Sequence, residues 1–149
     1  MTTSLAWLVM ERVPHLPTRV VVVDGQIMVS EIMALSISKE RDLSLAGVAN
    51  TARDAAQVVK REHPDVIVLN YRNGDDRYIS VARSMLDESP SSRVVIVAGN
   101  GDDERPREAI GVDRVRIVSK NSSIAEILSA IRRAARGELV AATPAHAHS

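Results

Sequence analysis

The 149-residue sequence contains no cysteine and no phenylalanine, and it has only one tryptophan and two tyrosines. The absence of cysteine excludes disulfides, thiolate catalysis and cysteine-type zinc sites. It also fits a reducing compartment, so we expect a cytoplasmic protein. Because aromatic side chains are scarce, the hydrophobic core must be built from aliphatic residues.

A surplus of charge and long hydrophobic runs are also missing. Nineteen basic residues balance nineteen acidic residues, so the domain lacks the positive field that attracts nucleic acids or anionic membranes. No apolar run approaches the roughly 20 residues that a membrane-spanning helix needs. The early stretch "SLAWLVM" is short and has no basic start, unlike a signal peptide. We therefore expect no direct binding to nucleic acid and no insertion into a membrane.

Strand and helix patterns alternate along the chain. The continuous β-branched run "RVVVVD" is typical of a strand that is covered on both faces. Five strands alternating with five helices predict an α/β fold with a parallel sheet between two helical layers. We expect the flavodoxin-like doubly wound (βα)5 arrangement with strand order 2-1-3-4-5. The predicted strands are 19–24, 43–49, 65–70, 93–99 and 115–120, and the predicted helices are 26–39, 51–63, 76–89, 102–111 and 123–136.

The two ends of the chain do not fit this alternation. We predict one domain over residues 19–137, preceded by an N-terminal extension (1–18) and followed by a flexible tail or the start of a linker (138–149). The extension carries Pro14 and Pro17. It could hold one amphipathic turn that docks Trp7 and Leu8, at a place that the sequence does not identify.

Capping signals define two of the helices. Thr51 and Asp54 predict the start of the second helix, and Pro64 predicts its end. Ser123 and Glu126 form a capping box at the start of the last helix. One face of that helix is apolar and is a candidate dimer surface; it consists of Ile124, Ile127, Leu128 and Ile131.

Candidate site residues follow the strands. In doubly wound sheets, the ligand or reaction site lies beyond the carboxyl ends of the strands. Simpler interpretations exist: Asn70 could satisfy turn backbone groups, Asp24 could start a turn, and Lys120 could be a solvated charge or pair with Asp24. The positions that this rule brings together are Asp24, Gly25, Asn70, Ala98 and Lys120.

Four segments carry a resemblance to a known family: "VVVVDGQIMV", "HPDVIVLNYR", "SSRVVIVAG" and "RIVSKNSSIAEILSAIRRAARGE". With them, residues 19–137 resemble a receiver domain of bacterial two-component response regulators, most closely the NarL/FixJ (LuxR-type) branch. Such receivers transfer a phosphoryl group from a histidine kinase to an aspartate, with Mg²⁺ held by two further acids. The resemblance places Asn70 at the phosphoacceptor position. Of the two metal-binding acids, Asp24 is present, and Gly25 stands in place of the other.

The reporting positions of the resemblance are also altered. Ala98 stands where such receivers have a Thr or Ser hydroxyl, and Ile117 stands where many have a switching aromatic residue. Lys120 matches the lysine that pairs with the phosphoryl group. The resemblance therefore implies an atypical, phosphorylation-independent pseudo-receiver that is not an enzyme, has no cofactor and binds Mg²⁺ weakly or not at all.

We expect such a domain to act in signal transduction or transcriptional regulation through protein contacts, as a homodimer or with another response regulator. The first and last helices are the expected interface. Alternatives remain: a pocket that senses a small-molecule effector, or a fragment of a LuxR-type DNA-binding regulator, since "RGELVAATPAHAHS" resembles the start of a linker. A nucleotide- or flavin-binding enzyme is disfavoured, because "DGQIMVS" contains a single glycine where a phosphate loop would stand.

Overall fold

Five parallel strands form one sheet in the order β2-β1-β3-β4-β5. The computed structural model describes residues 16–70, 77–99 and 104–138. This architecture confirms the predicted flavodoxin-like order. Most of the predicted N-terminal extension and nearly all of the predicted tail lie outside the described residues, so the domain boundaries stay a prediction. The strands are β1 (Thr18–Asp24), β2 (Leu43–Ala49), β3 (Val66–Asn70), β4 (Arg93–Val97) and β5 (Val115–Val118).

Helices follow the strands as the alternating pattern predicts. They are α1 (Ile27–Ser38), α2 (Ala52–Glu62), α3 (Arg77–Glu88), α4 (Arg105–Ile110) and α5 (Ile124–Ala135). The fourth and fifth strands are two residues shorter at their carboxyl ends than predicted. Ala98 and Lys120 therefore lie just beyond the strands, in the connections that lead to the next helices.

The sheet separates two aliphatic core layers. In β1, Val21 and Val23 pack in one layer and Val20 and Val22 pack in the other. All four are almost fully buried. The unbroken β-branched run is explained by this geometry, because alternate side chains enter opposite layers and neither face of β1 meets water.

The predicted capping signals are confirmed. The hydroxyl of Thr51 accepts a hydrogen bond from the backbone N–H of Asp54 at 3.1 Å. The α2 helix ends at His63, which has a left-handed backbone (φ 45°) directly before Pro64. At the start of α5, the Ser123 hydroxyl accepts from the Glu126 N–H at 3.1 Å, and the Glu126 carboxylate accepts from the Ser123 N–H at 2.7 Å.

The apolar face of α5 is mostly core rather than surface. Ile127, Leu128 and Ile131 are buried, whereas Ile124 is 38% exposed. The helix packs across β3, β4 and β5, and these three strands cover the stripe. Within one chain the sheet therefore covers Ile127, Leu128 and Ile131, and only Ile124 of the candidate dimer surface is partly exposed. A dimer through this helix stays a prediction.

Exposed apolar side chains lie on α1 instead. Its buried face follows i, i+3, i+4, i+7 spacing and consists of Ser30, Met33, Ala34 and Ile37. The exposed apolar side chains, here named the α1 apolar face, are Met28, Ile32 and Leu35, opposite the buried face, and Ile27 at its edge; all four are 57–75% exposed. Such a cluster of large exposed apolar side chains is typical of a contact surface. Within the described ranges, no helix is both long and apolar enough to cross a membrane.

Candidate functional site

A pocket of about 440 Å³ lies at the carboxyl ends of the central strands. Four of the five predicted positions line it: Asp24, Gly25, Asn70 and Lys120. They come from three connections that are distant in sequence. These four positions thus meet at one pocket, as the strand-end rule for doubly wound sheets predicts, and their role as an altered phosphoacceptor site stays a prediction.

Asp24 and Asn70 form the centre of the pocket. The parallel register of β1 and β3 places them side by side as the last residues of their strands. The Asn70 amide Nδ2 donates a hydrogen bond to Asp24 Oδ2 at 2.8 Å. The backbone N–H of Gln26 donates to Asp24 Oδ1 at 2.8 Å. Both oxygens of the 4%-exposed carboxylate are thus engaged, and neither of these two hydrogen bonds comes from Lys120.

The orientation of the Asn70 amide follows from its neighbour. A carboxylate accepts hydrogen bonds, so the amide must present its nitrogen to Asp24 and turn its oxygen away. Asn70 Oδ1 is buried and has no hydrogen-bond partner in the part of the chain that the structure describes. A buried acceptor without a partner costs about 1–3 kcal/mol. This oxygen is a point at which a hydrogen-bond donor would be favourable.

The connection after β5 fixes the backbone of Lys120 beside the pocket. Its N–H donates to the carbonyl of Gly99 at 3.0 Å. The Ser119 hydroxyl donates to the same carbonyl at 3.2 Å and accepts from the Asn121 N–H at 3.0 Å. These bonds tie the β5–α5 connection to the end of β4, and they carry Lys120 to the pocket wall.

Ala98 and Ile117 do not reach the pocket. Ala98 is 3% exposed and Ile117 is 6% exposed, and both belong to the core layer packed by α2 and α3. The Ala98 N–H pairs with the Val118 carbonyl at 3.0 Å, which continues the ladder past β4. Ala98 is therefore not among the described residues that line the pocket, and its assignment as the altered hydroxyl position stays a prediction.

Asn50 is a pocket residue that the sequence analysis missed. Its amide donates to the backbone carbonyl of Asp24 at 2.7 Å and to the Ser30 hydroxyl at 3.0 Å. The Ser30 hydroxyl donates in turn to the carbonyl of Ile27 at 2.7 Å. Asn50 thereby connects β1, β2 and α1. The strand-end rule would have found it, because it directly follows Ala49, the last residue of β2.

Arg77 and Tyr78 also line the pocket, from the first turn of α3. Tyr78 is 2% exposed, so most of its ring is core. Neither residue follows a strand, and no motif in the sequence distinguishes them from other helix-start residues. Among the described residues that line the pocket, two are basic, Arg77 and Lys120, and one is acidic, Asp24.

Among the described residues, the pocket offers few of the ligands that a magnesium site needs. Mg²⁺ requires near-octahedral oxygen ligands and is usually bound through carboxylates. Gly25 contributes no side chain, and both oxygens of Asp24 already accept hydrogen bonds. Across residues 16–70, 77–99 and 104–138, no group of three or more His, Cys, Asp or Glu residues could hold a metal. Weak Mg²⁺ binding nevertheless stays a prediction.

Comparison with known proteins gives a consistent match. Residues 20–132 match the family described as the response regulator receiver domain. The uncharacterised transcriptional regulatory protein YxjL of Bacillus subtilis is 29% identical over 122 residues, which cover 82% of this chain and 56% of that protein. The signal receiver domain of the response regulator NarL from Mycobacterium tuberculosis superposes with a TM-score of 0.67 and 25% identity, covering 83% of this chain and 99% of that one.

A relative that is named as an enzyme also matches. A protein-glutamate methylesterase/protein-glutamine glutaminase of Myxococcus xanthus is 28% identical over 143 residues, which cover 89% of this chain and 41% of that protein. The chain spans about half the length of these curated relatives. What is shared with them is therefore one part of larger proteins.

Proposed function

Because the chain belongs to the response regulator receiver domain family, we propose that it is a receiver that works without phosphorylation and acts through contacts with other proteins. The observation that carries the proposal is the 2.8 Å hydrogen bond from Asn70 to Asp24. It involves the residue that stands at the phosphoacceptor position by resemblance to the family.

The chemistry of Asn70 supports this proposal. Phosphorylation of a receiver requires a carboxylate that attacks phosphorus and becomes an acyl phosphate. A carboxamide is not nucleophilic at oxygen in this way and cannot form that bond. The Asn70 nitrogen is moreover committed to Asp24. We infer that the pair is a fixed arrangement rather than one state of a switch.

The metal and reporting positions support the same proposal. Attraction of a dication falls with each carboxylate that is removed, and Gly25 supplies none. Ala98 has no hydroxyl and is buried in the core. A phosphoryl group delivered to this pocket would therefore meet no strong metal site among the described residues and no hydroxyl at position 98. Of the reporting pair only Lys120 remains.

The α1 apolar face is the contact surface we propose. Four large apolar side chains on one side of α1 are 57–75% exposed, and burying them against a partner would release about 25 cal/mol per Å² of apolar surface. A second copy or another response regulator is the proposed partner. We propose no enzymatic activity for this chain, because no described residue of the pocket is an activated nucleophile. The cytoplasmic location stays a prediction.

Restoring the pocket in steps tests the proposal. The single variant Asn70→Asp, treated with beryllofluoride and Mg²⁺, should show amide chemical shift changes confined to the pocket. The triple variant Asn70→Asp, Gly25→Asp, Ala98→Thr should extend them towards α4 and β5. Gly25 can accept the new side chain, because the nearest atom to an added Cβ is the Asn50 carbonyl oxygen at 4.0 Å. Shifts that spread through the single variant would contradict the proposal.

A second candidate function is the sensing of a small effector. The unpartnered Asn70 Oδ1 in a pocket of about 440 Å³ favours it, because a ligand with an N–H donor would satisfy that oxygen. A library of small polar amines and amides, screened by thermal unfolding, tests this candidate. Stabilisation that is lost in Asn70→Leu would support sensing, and the absence of any such ligand would favour the contact function alone.

A further inference from the structure

Helix α1 packs its buried face in the core, yet it also exposes four large apolar side chains, those of the α1 apolar face. Met28, Ile32 and Leu35 follow i, i+4, i+7 spacing, and Ile27 adjoins them. The chain also contains a run of six apolar residues, 5–10, before the described region begins. We propose that residues 5–10 of the same chain cover the α1 apolar face in the free protein. This inference rests on the proposed function, since a partner that uses this face would have to displace the segment.

The position at which the N-terminal segment joins the domain supports this occupant. The N–H of Thr18, at the start of β1, donates to the carbonyl of Asp42 at 2.9 Å. Asp42 lies in the short connection that follows the end of α1 at Ser38. The segment therefore joins the sheet at the end where α1 terminates, and Leu35 is the member of the face nearest that end in sequence.

The lengths of the two surfaces also agree. From Ile27 to Leu35 the helix advances by about 12 Å at 1.5 Å per residue. A run of six residues spans roughly 9 Å if helical or roughly 20 Å if extended, at about 3.3 Å per residue. Residues 11–17 remain as a connection, with Pro14 and Pro17 limiting its backbone. The run can thus lie along the face without stretching the connection.

A second copy is the competing occupant of the face, and tethering favours the segment. A short tether gives an effective concentration on the order of millimolar for an intramolecular contact. A second copy at micromolar concentration competes at a disadvantage of roughly a thousandfold for equal contacts. The segment should therefore occupy the α1 apolar face in dilute solution. A partner protein that uses this face must bind it tightly enough to displace the tethered segment.

Trp7 provides a direct probe, because it is the only tryptophan in the chain. In the full-length protein we expect blue-shifted emission and several-fold weaker acrylamide quenching than for free tryptophan. The double variant Ile32→Glu, Leu35→Glu should shift emission to the red and restore quenching. Both positions are exposed, so the fold should persist. The matched control is Val112→Glu, which changes an equally exposed apolar residue (58%) outside α1 and should leave Trp7 unchanged.

Changes in the segment provide a reciprocal test. Leu5→Ser with Leu8→Ser keeps the probe but removes apolar contacts, and it should free Trp7 as the α1 variant does. Far-UV circular dichroism of each variant, unchanged from the unmodified protein, shows that the domain remains folded. Emission typical of exposed tryptophan in the unmodified protein, or emission insensitive to the α1 variant, would overturn the proposal.

Dilution separates this inference from the proposed function. Docking within one chain predicts Trp7 emission and quenching that are independent of protein concentration, with a monomeric mass by light scattering. If Trp7 becomes exposed on dilution while the mass falls from dimer to monomer, a second copy occupies the face. That result would refute docking of the segment within one chain and would support the contact function. A different result would separate the two proposals the other way. If Trp7 is docked, but no variant of the face or of the segment changes self-association or binding to other response regulators of the host, the docking of the segment is supported and the contact function is refuted.

Discussion

The variant Asn70→Asp should destabilise the protein at neutral pH. In the structure, the Asn70 nitrogen lies 2.8 Å from Asp24 Oδ2, so the substitution would set two carboxylate oxygens against each other at the position of a hydrogen bond. Asp24 is 4% exposed and cannot move far into water. The change therefore replaces an attractive contact by repulsion at the centre of the pocket.

The expected loss of unfolding free energy is about 2–4 kcal/mol. Two unit charges about 4 Å apart repel by about 4 kcal/mol at an effective dielectric constant near 20. Loss of a hydrogen bond to a charged group adds about 1.5–3 kcal/mol. The loss of unfolding free energy cannot exceed the cost of protonating one of the two carboxyls, because a bound proton removes the repulsion. For a carboxyl with a pKa near 4, this costs about 4 kcal/mol at pH 7, at 1.36 kcal/mol per pH unit.

The loss should diminish on acidification. The two carboxyls would share a proton, so the folded pair would have one pKa raised above the unfolded value. A folded protein that binds more protons than the unfolded chain gains stability as pH falls. Relative to the unmodified protein, Asn70→Asp should thus recover stability as the pH falls from about 7 to about 5.

Urea unfolding at several pH values measures this effect. The matched control is Asn121→Asp, which makes the same chemical change at an exposed residue of the β5–α5 connection. Its effect should stay within about 0.5 kcal/mol at every pH. If Asn70→Asp unfolds at the same urea concentration as the control, and with the same pH dependence, the contact between Asn70 and Asp24 is not the one described.

Three further predictions concern metal, charge and packing. Millimolar Mg²⁺ should add well under about 1 kcal/mol of stability, and a rise of several degrees in the unfolding temperature at matched ionic strength would contradict this. Arg132→Met should cost about 1 kcal/mol or less at pH 7, because its bonds to Asp42 (2.6 Å) and Glu40 (2.7 Å) are partly exposed. The Arg132 hydrogen bond holds the pKa of Asp42 below its usual 3.8. The stability that this contact supplies is therefore present above about pH 3.8 and should disappear as the pH falls further. A stability difference between Arg132→Met and the unmodified protein that persists at lower pH would refute this prediction. Gly47→Ala should lose about 1–3 kcal/mol in urea unfolding, because its Cβ would lie 2.7 Å from Val58 Cγ1, and Val58→Ala in the same chain should recover part of the loss; a neutral Gly47→Ala would contradict the packing.

The fold was predictable because its signals are local and repeated. Continuous β-branched strands, a capping box at Ser123 and proline after α2 each specify one element without reference to the others. The strand order and the meeting of Asp24 with Asn70 then follow from general rules for doubly wound sheets. What these rules do not give is the distance between side chains, which depends on the β1–β3 register.

The exposed surface was not predictable in the same way. Helix α1 is apolar on both sides, with Met33 and Ile37 in the core and Ile32 and Leu35 in solvent. A hydrophobic pattern that surrounds a helix identifies no core side. For α5 the pattern is one-sided, yet sequence spacing does not reveal how many strands the helix crosses. Which face of each helix is covered is a property of packing between distant segments.

Intact mass spectrometry after incubation with acetyl phosphate and Mg²⁺ tests the central claim most directly. The account predicts an unchanged mass for the unmodified protein, because Asn70 offers no carboxylate to attack phosphorus. Asn70→Asp, under identical conditions, shows whether the pocket admits the donor at all. A stoichiometric gain of one phosphoryl group on the unmodified protein, removed by hydroxylamine as expected for an acyl phosphate, would contradict the claim that this receiver works without phosphorylation.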